Sequence, residues 1–165
     1  MGFFRRRHFA PLAGGRYRLN LDDDERAFLA TLPDQIEALL LAAGKPDSAA
    51  GTVAGRLFPP AYVSEPGLDA EYQRLMRDEL VHRRIEAVGM VRDTVGSAEL
   101  TLEQLDAWMR VLNDVRLVLG TALDVTEDRD LFDVPDTAAD LPQRMVYEFL
   151  TTLVDEAVRA LGEAR

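Results

Sequence analysis

The sequence contains no cysteine, one lysine, one tryptophan and two histidines among its 165 residues. Without cysteine there is no disulfide, thiolate metal site, thiol nucleophile or thiol redox switch. Lys45 is the only lysine among 19 basic side chains, a bias that reads as GC-rich codon usage rather than phosphate chemistry. No apolar run reaches the roughly 18 residues a spanning helix needs, so no membrane span is expected. Arg6-Arg7-His8-Phe9 faintly matches a twin-arginine export signal, but the following Ala10–Arg16 is too short and too polar for the required apolar stretch. The expected location is the cytoplasm.

The scarcity of histidine limits the chemistry. Glu79-x-x-His82 places a carboxylate and an imidazole on one helical face, but a di-iron bundle needs a second such motif, and the other histidine is His8. Glu79, His82 and Glu86 fall on the polar arc of their helix and read as solvated surface. Asp128-x-Asp130 lacks the glycine and the register of an EF-hand loop. Gly14-Gly15 is no phosphate loop, no Gly-x-Ser-x-Gly is present, and a catalytic triad would have to use His8 or His82 without a supporting motif. The expectation is a non-enzymatic protein with no catalytic residue, cofactor or metal.

What the chain does have is acid. Its 29 acidic and 19 basic side chains give a net charge of −10. Residues 1–18 run against this trend, with five arginines and no acid. General acidity opposes nucleic-acid binding, so any polyanion contact falls to Arg5, Arg6, Arg7, Arg16 and Arg18, interleaved with Phe3, Phe4 and Phe9. The alternative is a hairpin with an apolar inner face and a charged outer face that protects its edge.

Hydrophobic spacing predicts a mainly α protein, a bundle of four to five helices with a small amino-terminal β-hairpin, in one domain over residues 1–165. Residues 1–21 form the hairpin: Tyr17, Leu19 and Leu21 alternate with polar residues, Phe3 to Phe9 supplies the partner strand, and Ala13-Gly14-Gly15 the turn. Residues 22–43 form a helix opened by Asp22-Asp23-Asp24-Glu25 and kinked or split at Pro33. Residues 44–55 read as a flexible loop, and 56–165 as the helical core. Within that core, Leu57 and Phe58 form an apolar anchor before Pro59-Pro60. A long helix follows over about Asp69 to Val95, then a turn at Ser97 to Leu100. The next helix is capped by Thr101 with Gln104. An acidic loop spans 124–141, and a last helix about Pro142 to Leu161, with Met145 through Val158 forming a broad apolar face. A face wider than one side suits burial on two sides, hence an expected homodimer.

The helix beginning at Leu100 is the most informative. Leu105, Trp108, Met109, Leu112, Val115 and Leu119 form a stripe, and Arg116 falls roughly 40° from its centre. An arginine there needs a partner: an acid on the Asp69–Val95 helix, a subunit interface, or a small anionic ligand. Asn113 flanks it, and Trp108 reads as core.

These residues carry a resemblance. Asn113-Asp114-x-Arg116-Leu117-x-Leu119-Gly120 is its sharpest segment. Arg56-Leu57-Phe58-Pro59 to Tyr62, Ala107-Trp108 and Val146-Tyr147-Glu148-Phe149-Leu150 support it. Through them the chain resembles an actinobacterial domain-of-unknown-function family that includes the oxidation-sensing transcriptional regulator AosR. The resemblance makes Trp108, Asn113, Asp114 and Arg116 a structural cluster. It implies a cytoplasmic regulatory protein acting through RNA polymerase, a sigma factor or DNA. The regulator member is described as using a Cys-x-x-x-Cys pair, which this chain lacks. Family genes neighbour a Clp protease adaptor and sulfur-metabolism genes, so a Clp accessory or scaffold is an alternative. A small-ligand-binding helical domain is another.

Overall fold

In the computed structural model, which describes residues 6–43, 56–123 and 141–164, the amino-terminal hairpin rests on two glycines. Gly14 and Gly15 hold φ at +77° and +71°, a region that costs other residues steric strain. The tight turn brings β1 (Phe9–Pro11) against β2 (Tyr17–Leu19), pairing Phe9 with Leu19 and Pro11 with Tyr17. The partner strand thus starts at Phe9, where the sequence pattern ends it, because the strands abut the turn directly. A Cβ on Gly15 would meet nothing within 4 Å, so the cost of adding one is conformational alone. Gly15→Ala should lower unfolding stability by about 1 kcal/mol, read as a lower urea midpoint at unchanged slope.

Glu99–Leu100, expected as a turn, is a third strand, β3, pairing Leu100 with Tyr17 and Glu99 with Arg18. Two residues are too few to show strand alternation, and the pairing comes from the hairpin's free edge. Asp22 and Glu25 cap each other's backbone amides and start α1 (Asp23–Leu29). The expected break of the 22–43 helix is real but falls at Ala30–Thr31, before α2 (Leu32–Ala43). Pro33 sits in the first turn of α2, where its missing N–H leaves no bond unmade.

The Leu57–Phe58 anchor is buried, and Asp69 Oδ1 accepts the backbone N–H groups of Ala61 at 2.7 Å and Tyr62 at 3.2 Å. That contact fixes the Pro59-Pro60 corner to the start of α3 (Pro66–Thr94). Thr101 and Gln104 form the expected capping box at α4 (Leu102–Ala122), and α5 spans Leu141–Glu163. The class is mainly α with a small antiparallel sheet. The expected loops over 44–55 and 124–140, Asp128 and Asp130 among them, and Arg5 lie outside the described residues.

α4 packs between α3 and α5, and the sheet closes over one end. Trp108 is fully buried at the junction; its indole N–H donates to Thr94 Oγ1 at 2.8 Å and its ring meets Phe9 edge-on at 6.1 Å. At the far end of α4, a Cβ on Gly120 would lie 3.0 Å from the Tyr147 ring, so any larger residue there would push that ring aside. On α5 the buried face is Leu150, Leu153, Val154, Ala157 and Ala160. Met145 and Val158, also part of the broad apolar face expected from the sequence, are 63% and 52% exposed. Among the described residues no helix is long and apolar enough to cross a membrane.

Candidate functional site

The polar cluster anticipated on α4 exists, with its charges reversed. Asp114 is the buried group, 5% exposed, and its carboxylate accepts from Arg84 on α3. Arg84 also donates to the Leu57 carbonyl at 2.7 Å, tying the apolar anchor to both helices. Arg116, expected to face the core and to meet an acid on the long helix, a subunit interface or a small anion, is only half-buried and donates to Asn113 Oδ1 at 2.7 Å. The cause is a rotated stripe. Val111 is 2% exposed, while Met109 and Leu119 are only partly buried. The buried arc of α4 is therefore centred away from Arg116 and extends to Asp114.

Arg84 was legible as an arginine interrupting an apolar stripe. Val81, Val88 and Val91 are buried at helical spacing on α3, and Arg84 falls among them. Burial pushes the Asp114 carboxyl above its ordinary value of 3.8, against the opposing hydrogen bond and charge of Arg84. The cleft beside this pair has a volume of about 370 Å³, with Arg83, Met109, Arg110 and Asn113 in its walls. Arg83 is bound to Glu79 and Arg110 to Asp106, each across one helical turn at 2.8 Å. Beside the anchor, Arg77 and Arg84 lie over the Phe58 ring, 4.4 and 5.2 Å from its centroid.

The basic hairpin is held by acids of the same chain. Arg6 meets Glu25 at 2.7 Å and Asp22 at 3.6 Å, Arg7 meets Glu163 at 2.7 Å, and Arg16 meets Glu99 at 3.0 Å. Arg18 is exposed with no ion pair among the described residues. Phe9 is committed to the core against Trp108 and offers no face to a base. A phosphate would compete with Asp22, Glu25, Glu99 and Glu163 for these guanidinium groups. His8 lies among them, with Nδ1 3.0 Å from Glu156 and Nε2 3.1 Å from Glu25. A neutral imidazole carries one N–H, so both contacts are hydrogen bonds only when the ring is protonated.

Glu79, His82 and Glu86 lie on the exposed side of α3. His82 Nε2 is 3.3 Å from Glu86, and Glu79 is taken by Arg83. Among the described residues no group of three or more histidine and carboxylate side chains is placed to hold a metal.

Comparison with known proteins places these features in a family. No solved structure matches the chain. A Mycobacterium leprae (strain TN) protein, AosR, whose name proposes it as an oxidative stress regulator, is 32% identical over 111 residues. The match covers 64% of this chain and half of that protein's length. A family model, the domain of unknown function DUF2017, matches residues 5–161, from the basic hairpin into the last turn of α5. The chain belongs to the DUF2017 family.

Proposed function

We propose that this chain is a non-enzymatic, cytoplasmic regulatory protein of the oxidative-stress response that acts through a protein partner, in the class of a sigma factor or RNA polymerase. The observation that carries the reading is the 32% identity to AosR. Protein rather than DNA contact is favoured by the hairpin, where Arg6, Arg7 and Arg16 are already paired with acids. The absence of cysteine separates this chain from any thiol switch. A second copy is a further partner in this reading. Leu141 and Met145 on α5, 50% and 63% exposed, are the apolar surface it would cover, and light scattering giving 18.4 kDa at every concentration would remove it.

The test is a deletion strain challenged with peroxide, together with binding of the purified chain to RNA polymerase core and holoenzyme. The reading requires altered survival or stress-gene transcription, and saturable binding to one of the two assemblies. Normal survival with no binding would overturn it. Diamide, which oxidises thiols, should leave the chain's electrophoretic mobility and its partner affinity unchanged. A diamide-induced loss of affinity with the partner's own thiols blocked would contradict the missing switch.

A further inference from the structure

Met109 links the polar cleft to a second, larger one. Where the start of α4 lies beside the end of α5 runs a groove of about 690 Å³. Leu102 and Met109 supply apolar surface from α4, and Val158 and Leu161 from α5. Leu102 and Val158 are 51% and 52% exposed. Residues 102, 106 and 109 recur at one-turn intervals along one wall, as do 158 and 162 along the other, so a third helix fits the seam with side chains at i, i+3, i+4 and i+7. Gly162 keeps the α5 wall low, with Ala164 just beyond it, and open space lies where a Cβ of Gly162 would be.

The charge of the groove selects its occupant. Among the described residues its charged lining is Glu103 and Asp106, both acids. Asp106 is shared with Arg110, and Glu103 has no ion pair among the described residues. The chain as a whole carries −10. A second copy seated here would bring acid against acid. A partner with basic residues flanking an apolar stripe meets attraction at the rim and burial at the floor.

We infer that this groove seats an amphipathic helix with a basic polar face, presented by the protein partner on which the proposed function rests.

The experiment is fluorescence anisotropy of the full chain with a synthetic 14-residue helix, leucine at i, i+3, i+4 and i+7 and lysine elsewhere. A twin peptide carries glutamate in place of lysine. Titrations run at about 150 mM salt, where long-range attraction to a −10 protein is largely screened. The lysine peptide should bind at least about tenfold more tightly than its acidic twin. Val158→Lys should weaken it about tenfold or more. Leu75→Lys, the same charge change at a residue 62% exposed outside the groove, should change affinity less than about twofold. Both substitutions are on the surface, and circular dichroism checks that the fold is kept.

No binding of the lysine peptide, equal binding of the twin, or equal effects of Val158→Lys and Leu75→Lys would each overturn the inference. So would a dimer of the wild type that Val158→Lys dissolves, since the occupant would then be a second copy. The two readings fail separately. RNA polymerase binding that survives Val158→Lys removes the groove and keeps the regulator. A deletion strain with normal peroxide survival and no polymerase binding removes the regulator, whatever the peptide does.

Discussion

Replacing Trp108 with alanine should cost about 3–5 kcal/mol of folding stability, among the largest effects expected of any single substitution in the chain. The ring is fully buried where α3, α4 and the sheet meet, so truncation opens a void bounded by three elements that collapse toward it poorly. It also removes the edge-on contact with Phe9 and the hydrogen bond to Thr94. A domain of ordinary stability holds roughly 5–15 kcal/mol in total, so this variant should be partly unfolded at growth temperature. Trp108→Phe keeps most of the volume. The Thr94 hydroxyl still donates to the Met90 carbonyl at 2.6 Å, so the expected cost falls to about 1–2 kcal/mol. Urea unfolding followed by far-ultraviolet circular dichroism measures both, because the substituted residue is the chain's one tryptophan fluorophore. A Trp108→Ala cost below about 1 kcal/mol would mean that the hairpin is not anchored through this ring.

The second large effect concerns Arg84 and Asp114. Arg84→Met leaves a carboxylate whose side chain is 7% exposed without its counterion, at an expected cost of about 3–5 kcal/mol. Asp114→Leu leaves a guanidinium that is 30% exposed and still bonded to Leu57, so its cost is smaller, about 2 kcal/mol. The double variant Arg84→Met/Asp114→Leu removes both charges and keeps an apolar contact with Phe58. It should recover to within about 1–2 kcal/mol of wild type, a strongly non-additive cycle. Additive losses would mean that the two side chains act independently.

The pH dependence follows from the direction of the Asp114 shift. Its folded pKa lies above 3.8, so between 3.8 and the folded value the native protein holds more protons than the unfolded chain. Stability from this group therefore falls as pH rises across that window and increases again on acidification. Asp114→Asn does not titrate, so wild type should gain stability relative to Asp114→Asn as pH falls from 7 towards 3.8. Glu163 behaves in the opposite sense. The Arg7 hydrogen bond holds it below 4.5, so its contribution is present at neutral pH and lost on acidification. The wild-type-minus-Asn difference cancels that second trend.

Helical spacing and capping chemistry made most of the fold readable in the sequence. The acidic run Asp22–Glu25 and the Thr101–Gln104 pair mark two helix starts to within two residues. What could not be read was set by long-range pairing. Glu99–Leu100 becomes a strand because the edge of β2 is free, a fact about residues some 80 positions away. The polar cluster was half legible. Its location on α4 followed from the motif, but omitting Val111 turned the helix toward Arg116 and hid Asp114. The hairpin arginines were read correctly as a charge excess. Their neutralisation by Glu25, Glu99 and Glu163 depends on tertiary contacts that spacing does not encode.

The contacts of His8 and Arg7 have a consequence for the order of folding. The His8 backbone N–H is held by Glu156, 148 residues later, and Arg7 by Glu163, 156 residues later. On the ribosome, made at about 5–20 residues per second, the hairpin waits for many seconds before these partners emerge. Through that interval Phe9, Tyr17 and Leu19, all destined for the core, can meet Leu100 and Trp108 but not the face of α5 that completes their cover. Docking of the hairpin on α5 therefore belongs to the last stage of biogenesis, and a nascent chain stalled before residue 156 is the form most in need of a chaperone.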